Sequence, residues 1–135
     1  RRLFAYAAMV DDVERLGDHV VTIADLCRVK ARRRIAFSRF AYEELRVIAR
    51  LIGDNLRDAA ELIGGRDSER IERVGRREEE VDMKVKEARE RHLARFHQRI
   101  CPAEAGPIYV EMLIHLERIS DHCQNIADAV ADLAD

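Results

Sequence analysis

Near its C-terminal end the chain reads Leu116-Glu117-Arg118-Ile119-Ser120-Asp121-His122-Cys123-Gln124-Asn125-Ile126-Ala127-Asp128. Apolar side chains recur every three or four residues through this stretch and on both sides of it. The apolar positions are Met112, Leu116, Ile119, Cys123, Ile126, Val130 and Leu133. Because an α-helix has 3.6 residues per turn, this spacing places them on one face. The stretch therefore predicts a long amphipathic helix that packs against other helices.

Two helices are predicted in the first half of the chain by the same periodicity. The first has apolar residues at Val13, Leu16, Val20, Ile23 and Cys27. The second is expected to begin after Ser38, a favourable N-cap residue, with Phe37 and Tyr42 placed to pack across its start. It is expected to end at Gly64-Gly65, where glycine can adopt the left-handed conformation of a helix C-cap.

A third helix is predicted to begin at Asp67 or Ser68 and to extend toward Phe96, before a turn at residues 101–107. The connections between helices are short, so neighbouring helices are expected to pack antiparallel. The composition agrees: the chain has six glycines, two prolines, no tryptophan and 5% aromatic residues, which suits an all-β protein poorly. We therefore predict an all-α fold, an antiparallel up-and-down helical bundle.

Charge and cysteine content narrow the possible functions. The 135 residues include 24 Lys and Arg against 26 Asp and Glu, so nucleic-acid binding through bulk positive charge is not expected. Three cysteines without a CxxC spacing, and no signal peptide, favour a reducing compartment with free thiols. The longest apolar stretch, residues 4–10, is too short to cross a bilayer. The missing initial Met suggests a segment of a longer protein.

The first and last helices repeat each other. Residues 13–25 align without gaps to residues 116–128, and 7 of the 13 positions are identical. Helical composition explains recurring Leu, Ala and Glu, but it does not explain the ordered set Glu-Arg-x-x-Asp-His followed by Ile-Ala-Asp. We interpret the repeat as an internal duplication.

Both repeated helices place carboxylates opposite their apolar stripe. These acids are Asp11, Glu14, Asp18 and Asp25 on the first helix, and Glu117, Asp121, Asp128, Asp132 and Asp135 on the last. On the third helix, Glu78 and Asp82 have the same Glu-x-x-x-Asp spacing. Like charges four residues apart repel each other, so a bound cation would relieve the repulsion. The spacing alone leaves two interpretations open, a metal site and an ordinary solvated face.

Five segments together resemble the PhoU domain family, and the resemblance covers essentially the whole chain. More narrowly, they resemble the PhoU-type region at the C-terminal end of bacterial sodium/phosphate cotransporters. The segments are Phe37-Ser38, Glu78-Glu79-Glu80-Val81-Asp82, Arg91-His92-Leu93-Ala94-Arg95, Cys101-Pro102-Ala103-Glu104-Ala105-Gly106 and Leu116-Glu117-Arg118-Ile119-Ser120-Asp121-His122-Cys123-Gln124-Asn125-Ile126-Ala127.

The resemblance implies tandem three-helix bundles that bind metal through Glu/Asp-x-x-x-Asp motifs. Residues 1–34 would then be the last helix of a preceding repeat plus a basic linker, and residues 35–135 one complete repeat. The implied ligands are Glu117, Asp121 and Asn125 on the last helix, Glu78 and Asp82 on the middle helix, and Glu14 and Asp18 on the preceding one. Iron is the metal that the resemblance favours. A set of carboxylates also suits manganese, magnesium or calcium.

The resemblance also implies a function: a cytoplasmic regulatory domain of phosphate transport at the inner face of the cell membrane. The expected partners are the membrane domain of a phosphate transporter in the same chain and further copies of the domain. The basic run at residues 28–34 is either a solvated linker or a contact for anionic lipid or phosphate. His19, His92 and His122 are expected to have packing roles.

No catalysis is expected, because the chain has no Glu-x-x-His pair, phosphate-binding glycine loop or paired nucleophile and base. Three alternatives stay open. The domain could be a helical assembly module that binds no metal, a stand-alone regulator without a transporter domain, or an oxygen-handling bundle enzyme, which would require redox-active iron.

Overall fold

The computed structural model describes residues 2–133, and within that range it contains four α-helices and no strand. They are α1 (Arg2–Arg32), α2 (Arg39–Gly64), α3 (Ser68–His97) and α4 (Ala105–Leu133). The predicted all-α bundle is therefore confirmed. Asp135, the last acid of the predicted acidic face, lies outside the described residues. None of the helices in residues 2–133 is long and apolar enough to span a membrane.

Helix α4 lies at the centre of the bundle, in contact with α1, α2 and α3. Its apolar stripe is fully covered: Leu113, Ile119, Cys123 and Ile126 are each at most 2% exposed. Around it, α2 and α3 supply the rest of a three-helix core, notably Ile48, Ile52, Val74, Val81 and Val85. Helix α4, which has the clearest apolar periodicity in the sequence, is thus the helix that contacts the most others.

Helix α1 is packed differently from its duplicate. Among the described residues its backbone lies beside α4 alone, and it meets α2 only through side chains such as Met9, which shares a buried cluster with Leu62, and Lys30, which lies over the Tyr42 ring. Shifting the alignment back along both helices pairs Tyr6 with Tyr109, yet Tyr6 is 51% exposed and Tyr109 is 1% exposed. The expectation that Cys27 is a buried stripe residue is wrong for the same reason: its counterpart Val130 is covered by other helices, whereas Cys27 is exposed.

The helix ends follow the sequence signals with two exceptions, the conformation of Gly65 and the start of α4 at Ala105, inside the turn predicted at residues 101–107. Ser38 caps α2 by accepting a hydrogen bond from the Ala41 amide at 3.1 Å, and the Phe37 and Tyr42 rings pack 5.6 Å apart across the cap. Asp67, rather than Ser68, caps α3. Gly65 does end α2, but with φ 176° it is extended and not left-handed. The short link to the Asp67 cap continues in extended backbone, so no left-handed cap forms.

Candidate metal centre

Four carboxylates meet on one side of the α3–α4 contact. Glu78 and Asp82 of α3 and Asp121 of α4 each offer an oxygen within 4.8 Å of the others. Glu117, one turn before Asp121, lies beside Asp82. The helices bring the acids together because the two Glu-x-x-x-Asp pairs flank the apolar stripes through which α3 and α4 pack. We call Glu78, Asp82, Glu117 and Asp121 the carboxylate cluster.

The cluster concentrates negative charge. Burial, the hydrogen bond to Asp82 and the charges of Asp82 and Asp121 raise the pKa of Glu78 to about 7. Burial and the same neighbouring acids also raise the pKa of Glu117, and burial and Asp82 raise that of Asp121. Across residues 2–133, no ion pair engages any of the four carboxylates. The protein alone therefore leaves their charge largely uncompensated.

The donor set fits a hard cation. All four side chains offer carboxylate oxygens, which are preferred ligands of magnesium, calcium, manganese and iron(III). Neither a thiol nor an imidazole belongs to the group that the described residues bring together, so a tetrahedral zinc site is not indicated. The cluster lies at the partly exposed edge of the helix pair, where water can complete the coordination shell.

The other three predicted ligands lie elsewhere. Asn125 points toward α1, where its amide donates a hydrogen bond to Asp12 at 3.1 Å. Glu14 and Asp18 are exposed on α1, and among the described residues neither belongs to a group of three or more potential ligands. These side chains are the duplicates of Glu117 and Asp121, but α1 has no counterpart of α3 beside it. Their role as ligands, and the division at residue 34, stay predictions.

Three of the five histidines, His19, His115 and His122, pack between α1 and α4. The Nδ1 atoms of His19 and His115 are 2.9 Å apart, and the His122 ring stacks on His19 with ring centres 5.6 Å apart. Burial and the neighbouring His115, His122 and Arg118 lower the pKa of His19, which favours its neutral form. His122 Nδ1 lies 2.9 Å from Asp12. Sequence reasoning missed His115 and Asp12, because neither belongs to the duplicated block.

Comparison with known families agrees with this arrangement. The model of the PhoU domain matches residues 45–130, which is more than half of the chain. The chain belongs to the PhoU family. No curated protein and no solved structure gives a significant match. The matched range contains the whole carboxylate cluster and ends before the last turn of α4, whereas all of α1 lies outside it.

Membership supports part of what the sequence predicted. The family identity and the helical fold are confirmed, and the PhoU family is a regulatory, non-enzymatic one. The narrower resemblance, to the C-terminal region of a sodium/phosphate cotransporter, stays a prediction. So do the metal and the transporter as a partner.

Proposed function

We propose that this PhoU domain regulates phosphate homeostasis and that its carboxylate cluster binds a hard metal ion, which ties α3 to α4. The observation that carries the proposal is the convergence of Glu78 and Asp82 of α3 with Asp121 of α4, whose oxygens lie within 4.8 Å of one another, while Glu117 lies beside Asp82. PhoU membership supports the role in phosphate homeostasis. The metal would supply positive charge and a bridge between the helices.

Iron is the proposed metal, by resemblance, with manganese, magnesium and calcium as alternatives that the same oxygens accept. Glu78 and Asp82 would hold it from α3, and Glu117 and Asp121 from α4. With the like charges neutralised, the two helices are held in one relative position. The surface that they present to a partner is then fixed only when metal is bound.

The proposed partner is the membrane domain of a phosphate transporter, encoded in the same chain. The PhoU domain would contact it from the cytoplasmic face of the cell membrane. A homo-oligomer is proposed as the assembly state. The exposed apolar residues of α1 support a contact with another protein surface. Tyr6, Val10 and Val13 of α1, together with Ile63 of α2, line an apolar cleft beside the buried Met9.

Elemental analysis of protein purified without chelator or metal-affinity resin tests the metal site. We expect stoichiometric metal in the unchanged protein and at least tenfold weaker binding, about 1.4 kcal/mol, in Glu117→Gln/Asp121→Asn. The matched control is Glu14→Gln/Asp18→Asn, which removes the same charges from the duplicated motif on α1. The proposed site would be contradicted if the first variant held as much metal as the unchanged protein, or if the control lost as much metal as the first variant.

Replacing Glu78 by glutamine should stabilise the metal-free domain at neutral and alkaline pH. The folded state raises the pKa of Glu78 above its ordinary value, so it binds the proton more tightly than the unfolded chain. Stability of the metal-free protein therefore falls as pH rises from about 4.5 to about 7. In the variant the free energy of unfolding should not fall over this pH range. Above pH 7 it should exceed that of the unchanged protein by roughly 0.5–1 kcal/mol.

Urea denaturation in the presence of a chelator at pH 5 and pH 8 measures this effect. Glu79→Gln is the matched control, because Glu79 is an exposed neighbour outside the cluster. If both variants show the same pH dependence as the unchanged protein, the cluster does not carry the repulsion that we assign to it.

A helical assembly module without metal is the second candidate, and the exposed apolar surface of α1 favours it. Sedimentation of the metal-free and metal-loaded protein separates the two. An oligomer that forms equally whether or not iron, manganese, magnesium or calcium is added, in protein that binds none of them, would support assembly through α1 alone.

A further inference from the structure

Two loops and four helix termini lie at one end of the bundle. The chain leaves α1 and enters α2 through residues 33–38, and it leaves α3 and enters α4 through residues 98–104. Contacts between the elements confirm that both loops lie at the same end: Phe37 packs on Tyr109 of α4, and Arg95 of α3 binds Glu44 of α2. This end is opposite to the loop between α2 and α3.

Positive charge is concentrated at this end although the whole chain has a net charge of −2. Residues 26–42 contain six Lys and Arg and no acid, and residues 94–104 add Arg95, His97 and Arg99 with one acid, Glu104. The basic residues of the first segment are Arg28, Lys30, Arg32, Arg33, Arg34 and Arg39. Positive charge therefore outweighs negative charge in the segments that form this end, whereas the two signs are nearly balanced over the whole chain.

Five of these arginines are exposed and free of counter-charges. Within the described range, Arg32, Arg33, Arg34, Arg39 and Arg99 take part in no ion pair. We call these five residues the basic end surface.

Two arginines of the basic end surface also have an unusual backbone. Arg34 and Arg99 have φ of 55° and 57°, in the left-handed region where glycine is the favoured residue after a helix. The chain therefore has arginine at two loop positions where backbone conformation alone would favour glycine.

Apolar side chains are exposed among these charges. Phe40 at the start of α2 is 55% exposed, Phe96 at the end of α3 is 45% exposed, and Ile100 in the following loop is 49% exposed. Exposed aromatic and aliphatic side chains beside lysine and arginine are typical of surfaces that bind the interface of a membrane, where apolar groups enter the headgroup region.

We propose that the basic end surface binds the anionic phospholipid headgroups of a membrane. The arginines are spread over two loops and two helix termini, so that several headgroups can bind at once. A free phosphate ion would instead need donors that converge on one pocket. The proposal rests on the proposed function for its membrane setting, but the carboxylate cluster takes no part in it, so metal content and lipid binding fail or succeed separately.

Co-sedimentation with vesicles tests the proposal, using phosphatidylcholine with and without phosphatidylglycerol. We expect binding only to the anionic vesicles and a decrease with added salt. Each arginine near an anionic surface strengthens binding about fivefold, so Arg32→Gln/Arg33→Gln/Arg34→Gln should weaken it roughly a hundredfold. The matched control is Arg46→Gln/Arg50→Gln/Arg57→Gln, which removes the same charge from the exposed side of α2 and should keep most of the binding.

Three results would overturn the proposal: equal loss in both triple variants, displacement by inorganic phosphate at matched ionic strength, or tighter binding to a single-stranded oligonucleotide than to the vesicles. A second variant, Phe40→Ser/Phe96→Ser, keeps the charge. It should weaken vesicle binding severalfold, because the apolar side chains enter the headgroup region of a bilayer. Circular dichroism shows whether each variant is folded.

Discussion

Replacing Glu44 by glutamine is expected to lower the free energy of unfolding by about 3–5 kcal/mol. Glu44 of α2 accepts two hydrogen bonds from Arg95 of α3, at 3.1 and 2.7 Å, and a third from the Tyr109 hydroxyl of α4 at 2.6 Å. Arg95 is only 7% exposed. A glutamine would leave its guanidinium buried without a counter-charge, which is the costly way to break an internal ion pair.

The three side chains hold the helices of the core together at one point. Hydrogen bonding to Glu44 raises the pKa of Arg95, and burial together with the same carboxylate raises the pKa of Tyr109. Arginine therefore stays charged and tyrosine neutral throughout the ordinary pH range. Tyr109 donates one hydrogen bond to this carboxylate and carries no charge of its own, so Tyr109→Phe should cost less than Glu44→Gln, about 1.5–3 kcal/mol.

Urea denaturation of the two variants at pH 7 measures these losses. The matched control is Glu43→Gln, since Glu43 is the exposed neighbour and pairs only with Arg46 on the same helix. That substitution should change stability by less than about 0.5 kcal/mol. If Glu44→Gln is no less stable than Glu43→Gln, Arg95 can reach water and the buried pair does not hold the bundle.

Replacing Asp58 by asparagine is expected to cost about 2 kcal/mol at neutral pH. Arg70, Arg73 and Arg77 of α3 all direct a guanidinium at this one carboxylate of α2, whose side chain is 13% exposed. With the charge removed, three cations would face one another across the α2–α3 contact. The loss is smaller than at Glu44 because these arginines are 23–34% exposed and water screens them.

The same carboxylate should make the domain sensitive to acid. Burial alone would raise the pKa of Asp58, but the hydrogen bonds from Arg77, Arg73 and Arg70 outweigh it and lower the pKa below its ordinary 3.8. A lowered pKa in the folded state means that stability is present above about pH 4 and lost as pH falls below it. Thermal unfolding between pH 2 and pH 7 should show less acid dependence in Asp58→Asn. Asp54→Asn, which loses an exposed pair with Arg57, should keep it.

The sequence predicted those features that depend on residues close together along the chain. The caps at Ser38 and Asp67 and the contact of Phe37 with Tyr42 each involve residues within one helical turn or a little more. The carboxylate cluster was also predictable, because two motifs with the same spacing lie on helices that share one core. The carboxylates lie close together because α3 and α4 pack against each other in the register that their apolar stripes set.

What the sequence did not predict depends on neighbours far along the chain. Glu44, Arg95 and Tyr109 come from three helices, and no spacing rule links them. The exposure of Cys27 follows from the helices that surround α1 rather than from its own periodicity. The orientation of Asn125 toward Asp12 depends in the same way on which helix lies beside α4.

The different packing of the duplicated helices divides the molecule into parts that can open separately. Release of α1 breaks its contacts with α4 and a few side-chain contacts with α2, whereas release of α2, α3 or α4 disrupts a core shared by three helices. Unfolding should therefore begin as a partial opening in which α1 detaches and the other three helices remain as one cooperative unit. Glu44 and Asp58 belong to that unit. Asp12, His19 and their contacts with α4 instead govern how often the first, local step occurs.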